Sequence, residues 1–584
     1  MSKQIPDIQT QDIDHLGIIA GIVDEIGIVE IINSLIGTHA LEKVNAGQVV
    51  KAMILNCMGF IGSPLYLFSK FFHGKATSHF LGDGILPEHL NDDRLGRVLD
   101  DLHKVGLSKI FLQIALFAAQ KFGISTTRMH LDGTSFHVHG EYSNSVFTEE
   151  IEAISADESI LKTVDKSSEN ESKPLEKPDD ISQSVNQEQD KDEYQTIEIT
   201  HGYSREHRPD LKQYLMNIMS SSDGGVPLFF HVGDGNESEK TRFPKLIQEF
   251  KQQWTLDNIE VFVADSALYS ADNIKTLGDI PWISRVPLSI KEAKKLVESL
   301  PEEQFIHIEL PGYRMAEVAS DYGGVKQRWI VVESEPRTET DLEKLQKKID
   351  KEQKSQQTAL AKLSTKEFSC ESDAIKAGNE LVKKMKFHSL SNIQAIEKIH
   401  YSQSGRPSKD KTPSRITYHF QADLVVNTQN ITLAENQAGR FIIATNLTDK
   451  IKWPPIEILP EYKKQSVNER GFKFLKDPIF FADSVFVKTP RRVAALAMIM
   501  ALCLIVYTIG QRQLRANLVM ANATVPNQLG KPTQSPTLRW IFQCFQSIHV
   551  VLVSGVKIIS NLTDERKNIL QFFGTACGKY YLLS

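Results

Sequence analysis

The sequence predicts an α/β protein with a helical N-terminal domain and an inserted α+β domain. Three observations predict it. Apolar residues recur at helical spacing over residues 1–125. From Thr126 the pattern changes to alternation and short apolar runs, as strands give. Far downstream, Glu461–Asp477 reads as a helix with a polar stripe, opened by Pro460 and stopped by Pro478.

Composition bounds the class. At roughly 100–200 residues per domain, 584 residues suggest about three or four units. Hydrophobic and charged contents of 41% and 24% are ordinary for a soluble globular protein. The N-terminus has no apolar stretch of the secretory kind. Five scattered cysteines form no CxxC pair, so neither a disulfide framework nor a zinc site is supported, and a reducing, intracellular compartment fits. The net charge of −6 at first argues against nucleic acid. Between Glu149 and Thr200, however, sixteen acids face five lysines, which leaves the rest of the chain mildly basic. Val493–Gly510 is eighteen residues without a charge, flanked by Arg491, Arg492, Arg512 and Arg515. It barely reaches the length of a membrane span, and a buried helix beneath a site is the preferred reading.

Taken in order, Ile18 to Ile32, Val49–Phe60, Leu65–Phe72 and Asp92–Leu102 read as helices, a DNA-binding or dimerisation region or a plain scaffold. TTRMHLDGTSFHVHGEY, from Thr126, reads as a strand in which Asp132 needs a reason, since Asp is depleted in strand interiors. A hairpin turn at Asp132-Gly133 is the structural alternative. Residues 149–195 are too polar to offset their ordering entropy and read as a disordered insertion. The loop from His201 concentrates Arg205, His207, Arg208 and Lys212, a phosphate contact or a solvated loop. Strands are expected at Lys212–Ser220 and Val226–Val232 with SSDGG as their turn, and a helix at Thr241–Gln253. Ile259–Ala264 reads as a buried strand with Asp265 at its carboxyl end, where ligands of α/β sheets collect, and Ser270 caps the next helix. Ile280–Pro287 is a further strand, with Arg285 at its end. The insertion, 290–445, carries strands near Phe305–Leu310, Gln327–Val332, Ser414–Val426 and Gly439–Thr445, helices over Thr338–Glu367 and Ser372–Phe387, and a loop with Arg406 and Lys409 that contacts a nucleic-acid backbone or is simply mobile. Residues 446–520 return to the core, and 521–584 form a C-terminal helical tail.

On the Glu461–Asp477 helix, Tyr462, Gln465, Glu469 and Lys476 fall along one stripe. Such stripes are ordinarily solvated faces. Here Asp132 and Asp265 supply two further acids, and three carboxylates suit paired Mg²⁺ ions, with Mn²⁺ as a substitute. Crowded carboxylates repel without metal, so the metal-free protein should gain stability from Mg²⁺.

These residues resemble a family. Tyr462, Gln465, Glu469 and Lys476 keep the spacing of the Tyr-x2-Arg-x3-Glu-x6-Lys signature of bacterial insertion-sequence DDE transposases of the IS-four superfamily, with Gln465 in place of Arg. LDGTS around Asp132 and VADSALYS around Asp265 resemble its two Asp motifs. The resemblance implies a ribonuclease H-like core in which Asp132, Asp265 and Glu469 are the catalytic and metal-binding acids. It implies DNA contacts by Tyr462 and Lys476, while Gln465 lacks the charge of the usual Arg. Arg205, Arg208, Arg285, Arg406 and Lys409 are the other expected DNA contacts. The implied reaction has water cut the element's ends and the freed 3′-hydroxyl attack target DNA. The implied partners are double-stranded DNA with terminal inverted repeats, target DNA and a second copy of the chain in a synaptic homodimer, in a bacterial cytoplasm and with no membrane. A nuclease of the same fold without strand transfer, and an inactive DNA-binding relative, are the alternatives.

Deleting Ser155–Gln189 should leave the fold intact. Soluble yield and the circular-dichroism spectrum of the deletion variant check this, and loss of soluble expression would count against a disordered segment.

Overall fold

The computed structural model describes residues 8–60, 63–140, 142, 196–204, 207–254, 259–402, 412, 414–477, 487 and 489–583. The acidic segment 149–195 therefore lies outside the described residues, as do Arg205, Arg406 and Lys409. The fold is mixed α/β and divides into two compact units, Met1–Trp282 with Glu461–Ser584, and Ile283–Pro460.

In the first unit, the long helix Pro490–Met520 is the packing centre. It contacts Ala46–Met58, Asp92–Val105, Leu107–Lys121 and the strand Pro227–Gly233. Of its most apolar window, 89% is buried inside the protein. The arginines at its ends serve the protein interior as well. Arg491 and Arg492 bond Asp100 at 3.0 and 2.7 Å, Arg512 bonds Asp223 at 2.7 Å, and Arg515 donates to the Pro536 carbonyl. Charges committed this way explain why an uncharged run of eighteen residues can be a core helix.

Four strands lie beside it in the order Pro227–Gly233, Lys212–Ser221, Arg128–Val138, Val261–Ala264. The first two junctions are antiparallel and the last is parallel. The turn between Ser221 and Pro227 is the expected Gly-bearing one, with Gly224 and Gly225 at positive φ. Ser270 caps the helix Ala271–Leu277 through the Asn273 N–H. The Asp132-Gly133 hairpin does not form: the strand runs through both residues, paired to Ile218 and Asn217. Gly133 is needed for close approach instead, since a Cβ there would lie 2.6 Å from Asn217 Oδ1 and 3.1 Å from Glu239 Oε1.

Other expectations are corrected. The isoleucine-rich stretch is two helices, Leu16–Ile26 and Ile28–Ile36, because Gly27 adopts φ 81°. The N-terminal region is not purely helical: Ile8–Asp12 is a strand, paired antiparallel with His549–Val553, which pairs in turn with Val556–Ser560. The C-terminal residues are thus strands as well as helices, folded against the start of the chain. Cys577 and Tyr581 pack so closely on Gly21 and Gly17 that a Cβ at either glycine would clash.

The second unit holds five antiparallel strands in the order Trp282–Val286 (from Ile283 on), Arg440–Thr445, Gln327–Ser334, Tyr313–Ser320, Ile306–His307. A separate sheet orders Glu367–Phe368, Arg415–Val426, His388–His400. The helix Glu335–Thr365 has no fully buried residue, as its charged sequence requires. Tyr313–Ser320 and His388–His400 are strands that periodicity missed.

The helix bearing Glu469 sits on the long core helix through Phe474, whose ring stacks on Tyr507 at 4.2 Å. Phe474→Ala should cost about 3–5 kcal/mol, seen as a lower urea midpoint with unchanged slope. A loss under about 1 kcal/mol would mean that this stack does not seat the helix.

Candidate active site

The site is built on the face of the Arg128–Val138 strand that carries Arg128, His130, Asp132, Thr134 and Phe136, alternate residues and therefore one side of the sheet. The parallel register with the neighbouring strand ends at Leu131 opposite Ala264. Asp132 and Asp265 are the next residue on each strand. The pairing thus brings the two predicted aspartates to the same level, Asp132 within its strand and Asp265 just past the end of its neighbour. Asp132 is buried and its Oδ1 accepts the Gly133 N–H at 2.9 Å. Asp265 Oδ1 accepts the Ala267 N–H at 2.8 Å, which fixes the carboxylate at the mouth of the strand.

The third acid comes from the helical segment above this face. The single helix expected from Pro460 is two: Pro455–Lys463, with Pro460 inside it, and Ser466–Leu475, with a break at Lys464 and Gln465. Three residues pin the segment to the strand. Glu461 is 1% exposed, its Oε2 accepting from Arg128 Nη1 at 3.0 Å and its Oε1 from His130 Nε2 at 2.9 Å. Gln465 Nε2 donates to the Leu131 carbonyl at 3.1 Å, and Asn468 Nδ2 to the His130 carbonyl at 3.0 Å. Further along, the Lys476 ammonium stands 5.3 Å from the Phe136 ring. Glu469 lies on the helix between Gln465, held at Leu131, and Lys476, held at Phe136. Asp132 lies between those two contact points on the strand.

Glu469 is exposed, Tyr462 and Lys476 are half-buried, and Gln465 is buried with its Oε1 left without a partner in the interior. In this conformation Gln465 anchors the helix on the strand, a place that suits an uncharged amide better than a guanidinium. Arg208 lies outside this cluster and is engaged by Asp210 in a two-pronged ion pair at 2.8 and 2.9 Å. Arg285 belongs to the second unit, with its guanidinium 5.5 Å from the Phe441 ring.

The donor set is carboxylate oxygen, which suits a hard divalent cation. Among the described residues, no three acidic, imidazole or thiol side chains already converge on one point. Asp132 and Asp265 share their place through the sheet, and Glu469 is the outlying member on a helix held from one side.

Arg128, His130, Glu461 and Asn468 are participants that sequence reasoning passed over. The available signal was spacing: Glu461 precedes Gln465 by four and Glu469 by eight, and Arg128 and His130 precede Asp132 by four and two on a strand. Burial alone would push the Glu461 carboxyl up. Hydrogen bonds from His130, Ser222 and Arg128 overcome it and hold the group well below the usual carboxylate range.

The family described as Transposase DDE domain matches residues 130–506, more than half of the chain. A domain of unknown function (DUF4277) matches residues 8–116. No curated protein matches the chain. Among solved structures, a cryo-EM structure of a piggyBac transposase synaptic complex with hairpin DNA is similar at 8% identity and a TM-score of 0.36, covering 99% of this chain and 84% of that one.

Because the Glu461 pKa is depressed in the folded state, its stabilisation is present above the unfolded carboxyl value and is lost as pH falls through the folded one. Glu461→Gln should therefore flatten the rise in stability between acid and about pH 5. Glu461→Ala should cost about 3–5 kcal/mol at neutral pH by removing the buried carboxylate that Arg128 and His130 share. Urea unfolding across pH checks both.

Proposed function

The chain belongs to the DDE transposase family, and from that premise we propose that it cuts DNA at the ends of a mobile element and joins the freed 3′-hydroxyls to target DNA, with Asp132, Asp265 and Glu469 as the catalytic acids. The observation that carries the assignment is the strand register, which sets Asp132 level with Asp265, together with the bonds of Glu461, Gln465 and Asn468 that pin the segment bearing Glu469 to the Asp132 strand. In this reading the core is ribonuclease H-like, and the spacing of Tyr462, Gln465, Glu469 and Lys476 is the signature of the IS-four superfamily.

The three carboxylates would hold two Mg²⁺ ions, which supply charge to the attacking and the leaving oxygens of an in-line phosphoryl transfer. The remaining work is done by the chain. The Gly133 and Ala267 N–H groups fix the rotamers of Asp132 and Asp265. Tyr462 and Lys476 bind phosphate beside the cut. Gln465 sets the height of the helix over the strand and leaves the phosphate charge to its neighbours. Arg208 and Arg285 join as backbone contacts, Arg208 exchanging Asp210 for phosphate. Double-stranded DNA with terminal inverted repeats, target DNA and a synaptic homodimer complete the assembly, working in a bacterial cytoplasm at the nucleoid.

The test is cleavage and strand transfer by the full-length protein on DNA ending in the repeats that flank the gene, with Mg²⁺. Asp132→Ala, Asp265→Ala and Glu469→Ala should each lose more than about 100-fold in both products, because a direct ligand matters more than the supporting groups whose loss costs 10–100-fold. Their unfolding midpoints should stay within about 1 kcal/mol of wild type. Cutting without joining would leave a nuclease. Duplex binding without cutting would leave a DNA-binding relative.

A further inference from the structure

The second unit carries a groove that no part of the proposed chemistry uses. It has a volume of about 610 Å³ and lies along the exposed helix Glu335–Thr365 and the segments Lys386–Phe387 and Ala434–Arg440. Lys344, Lys348 and Lys351 line it at i, i+4 and i+7, so three ammonium groups share one helix face. They span about 10 Å of helix rise. Lys386 also lines the groove, its ammonium 5.1 Å from the Phe387 ring.

What sets the sign of this groove is how its charges are committed. Its two acids are spent on internal donors. Glu352 Oε1 accepts three successive backbone N–H groups, those of Lys386, Phe387 and His388, at 3.0, 2.8 and 3.1 Å, and also contacts His388 Nδ1. These bonds, with burial working against them, hold its carboxyl below the ordinary range. Asp341 accepts from Arg337 Nε and from the Gly439 N–H. Arg440 is likewise internal, bonded to Glu333 and to the Val297 and Leu300 carbonyls. Lys344, Lys348, Lys351 and Lys386 have no acidic partner among the described residues, and all four are exposed. Glu339, Glu343 and Asp350 of the same helix do not line the groove.

Four ammonium groups without acidic partners, beside two acids whose oxygens are engaged by internal donors, make a surface for a polyanion whose charges repeat along a line. We propose that this groove is a second DNA-binding site, on which the phosphate backbone of a duplex lies along Lys344, Lys348 and Lys351 with Lys386 as a further contact. The site reads no bases: ammonium groups give affinity and register, not sequence. It rests on the reading that the chain acts on DNA.

The test is fluorescence-anisotropy titration of the full-length protein with a short labelled duplex, in chelator, between about 50 and 200 mM salt. The Lys344→Gln/Lys348→Gln/Lys351→Gln variant should bind roughly tenfold or more weakly, and its slope of log affinity against log salt should fall by about 2 to 3, close to 0.9 per lost phosphate contact. The corresponding triple Arg variant should keep the wild-type slope. Unchanged affinity and slope in a triple Gln variant that unfolds like wild type would overturn the proposal. So would a wild-type protein that binds no duplex. If the triple variant unfolds, Lys348→Glu alone decides, with a slope change expected and an unchanged slope overturning. Cleavage by wild type beside unaltered binding in the triple variant would remove the groove and keep the catalytic assignment. Weakened binding in the triple variant beside a wild type that never cuts would keep the groove and remove that assignment.

Discussion

Glu461 is a carboxylate taken out of water and given back four donors, Arg128, His130, Ser222 and Lys464. Its desolvation is offset by those partners, so the net stabilisation is small compared with the cost of removing one of them. Its value lies in direction. A carboxylate that must meet one guanidinium and one imidazole on the same strand face fixes where the following helix sits. Gln465 and Asn468 then repeat the constraint one and two turns on, through the Leu131 and His130 carbonyls. The seat of the Glu469 helix on the Asp132 strand depends on this clamp, because nothing in the backbone of the helix itself selects that strand.

The sheet supplies the other half without any side-chain contact. Parallel pairing of Arg128–Leu131 with Val261–Ala264 delivers Asp132 and Asp265 to the same level. A slip of one residue would turn either aspartate to the opposite face. The buried run Val261–Ala264, with Met129 and Leu131 buried beside it, makes such a slip costly. Stability and geometry therefore come from different residues: apolar burial fixes the register, and a few buried polar bonds fix the helix.

Much of this was legible in the chain. The Asp132 strand, the strand ending at Asp265, the Ser270 cap and the buried character of Val493–Gly510 follow from alternation, an apolar run, a capping residue and the flanking arginines. Less was legible where one residue overrides a pattern. Gly27 breaks a continuous isoleucine periodicity by taking a left-handed φ. Pro460 sits inside a helix that Pro455 already opened. Asp132-Gly133 carries the composition of a turn but the register of a strand, since Gly133 answers to Asn217 and Glu239, residues remote in sequence. His388–His400 was hidden because its large apolar residues, Leu390, Ile393, Ile396 and Ile399, recur every third position instead of alternating, across a register shift between Ser391 and Gln394. Pairing of Ile8–Asp12 with His549–Val553 joins residues more than 500 positions apart, which no local signal encodes. The site divides the same way: the three acids stood out as chemistry, whereas Glu461 looked like a helix-surface carboxylate until its partners on the strand were placed.

The central claim is that Asp132, Asp265 and Glu469 form one cation-binding centre. The most direct measurement is Mn²⁺ binding by electron paramagnetic resonance of the free ion, on the full-length protein with duplex DNA, for wild type and for Asp132→Asn, Asp265→Asn and Glu469→Gln. The account predicts saturable binding in wild type that weakens at least tenfold, about 1.4 kcal/mol, in each variant. Equal binding by all four proteins would contradict it.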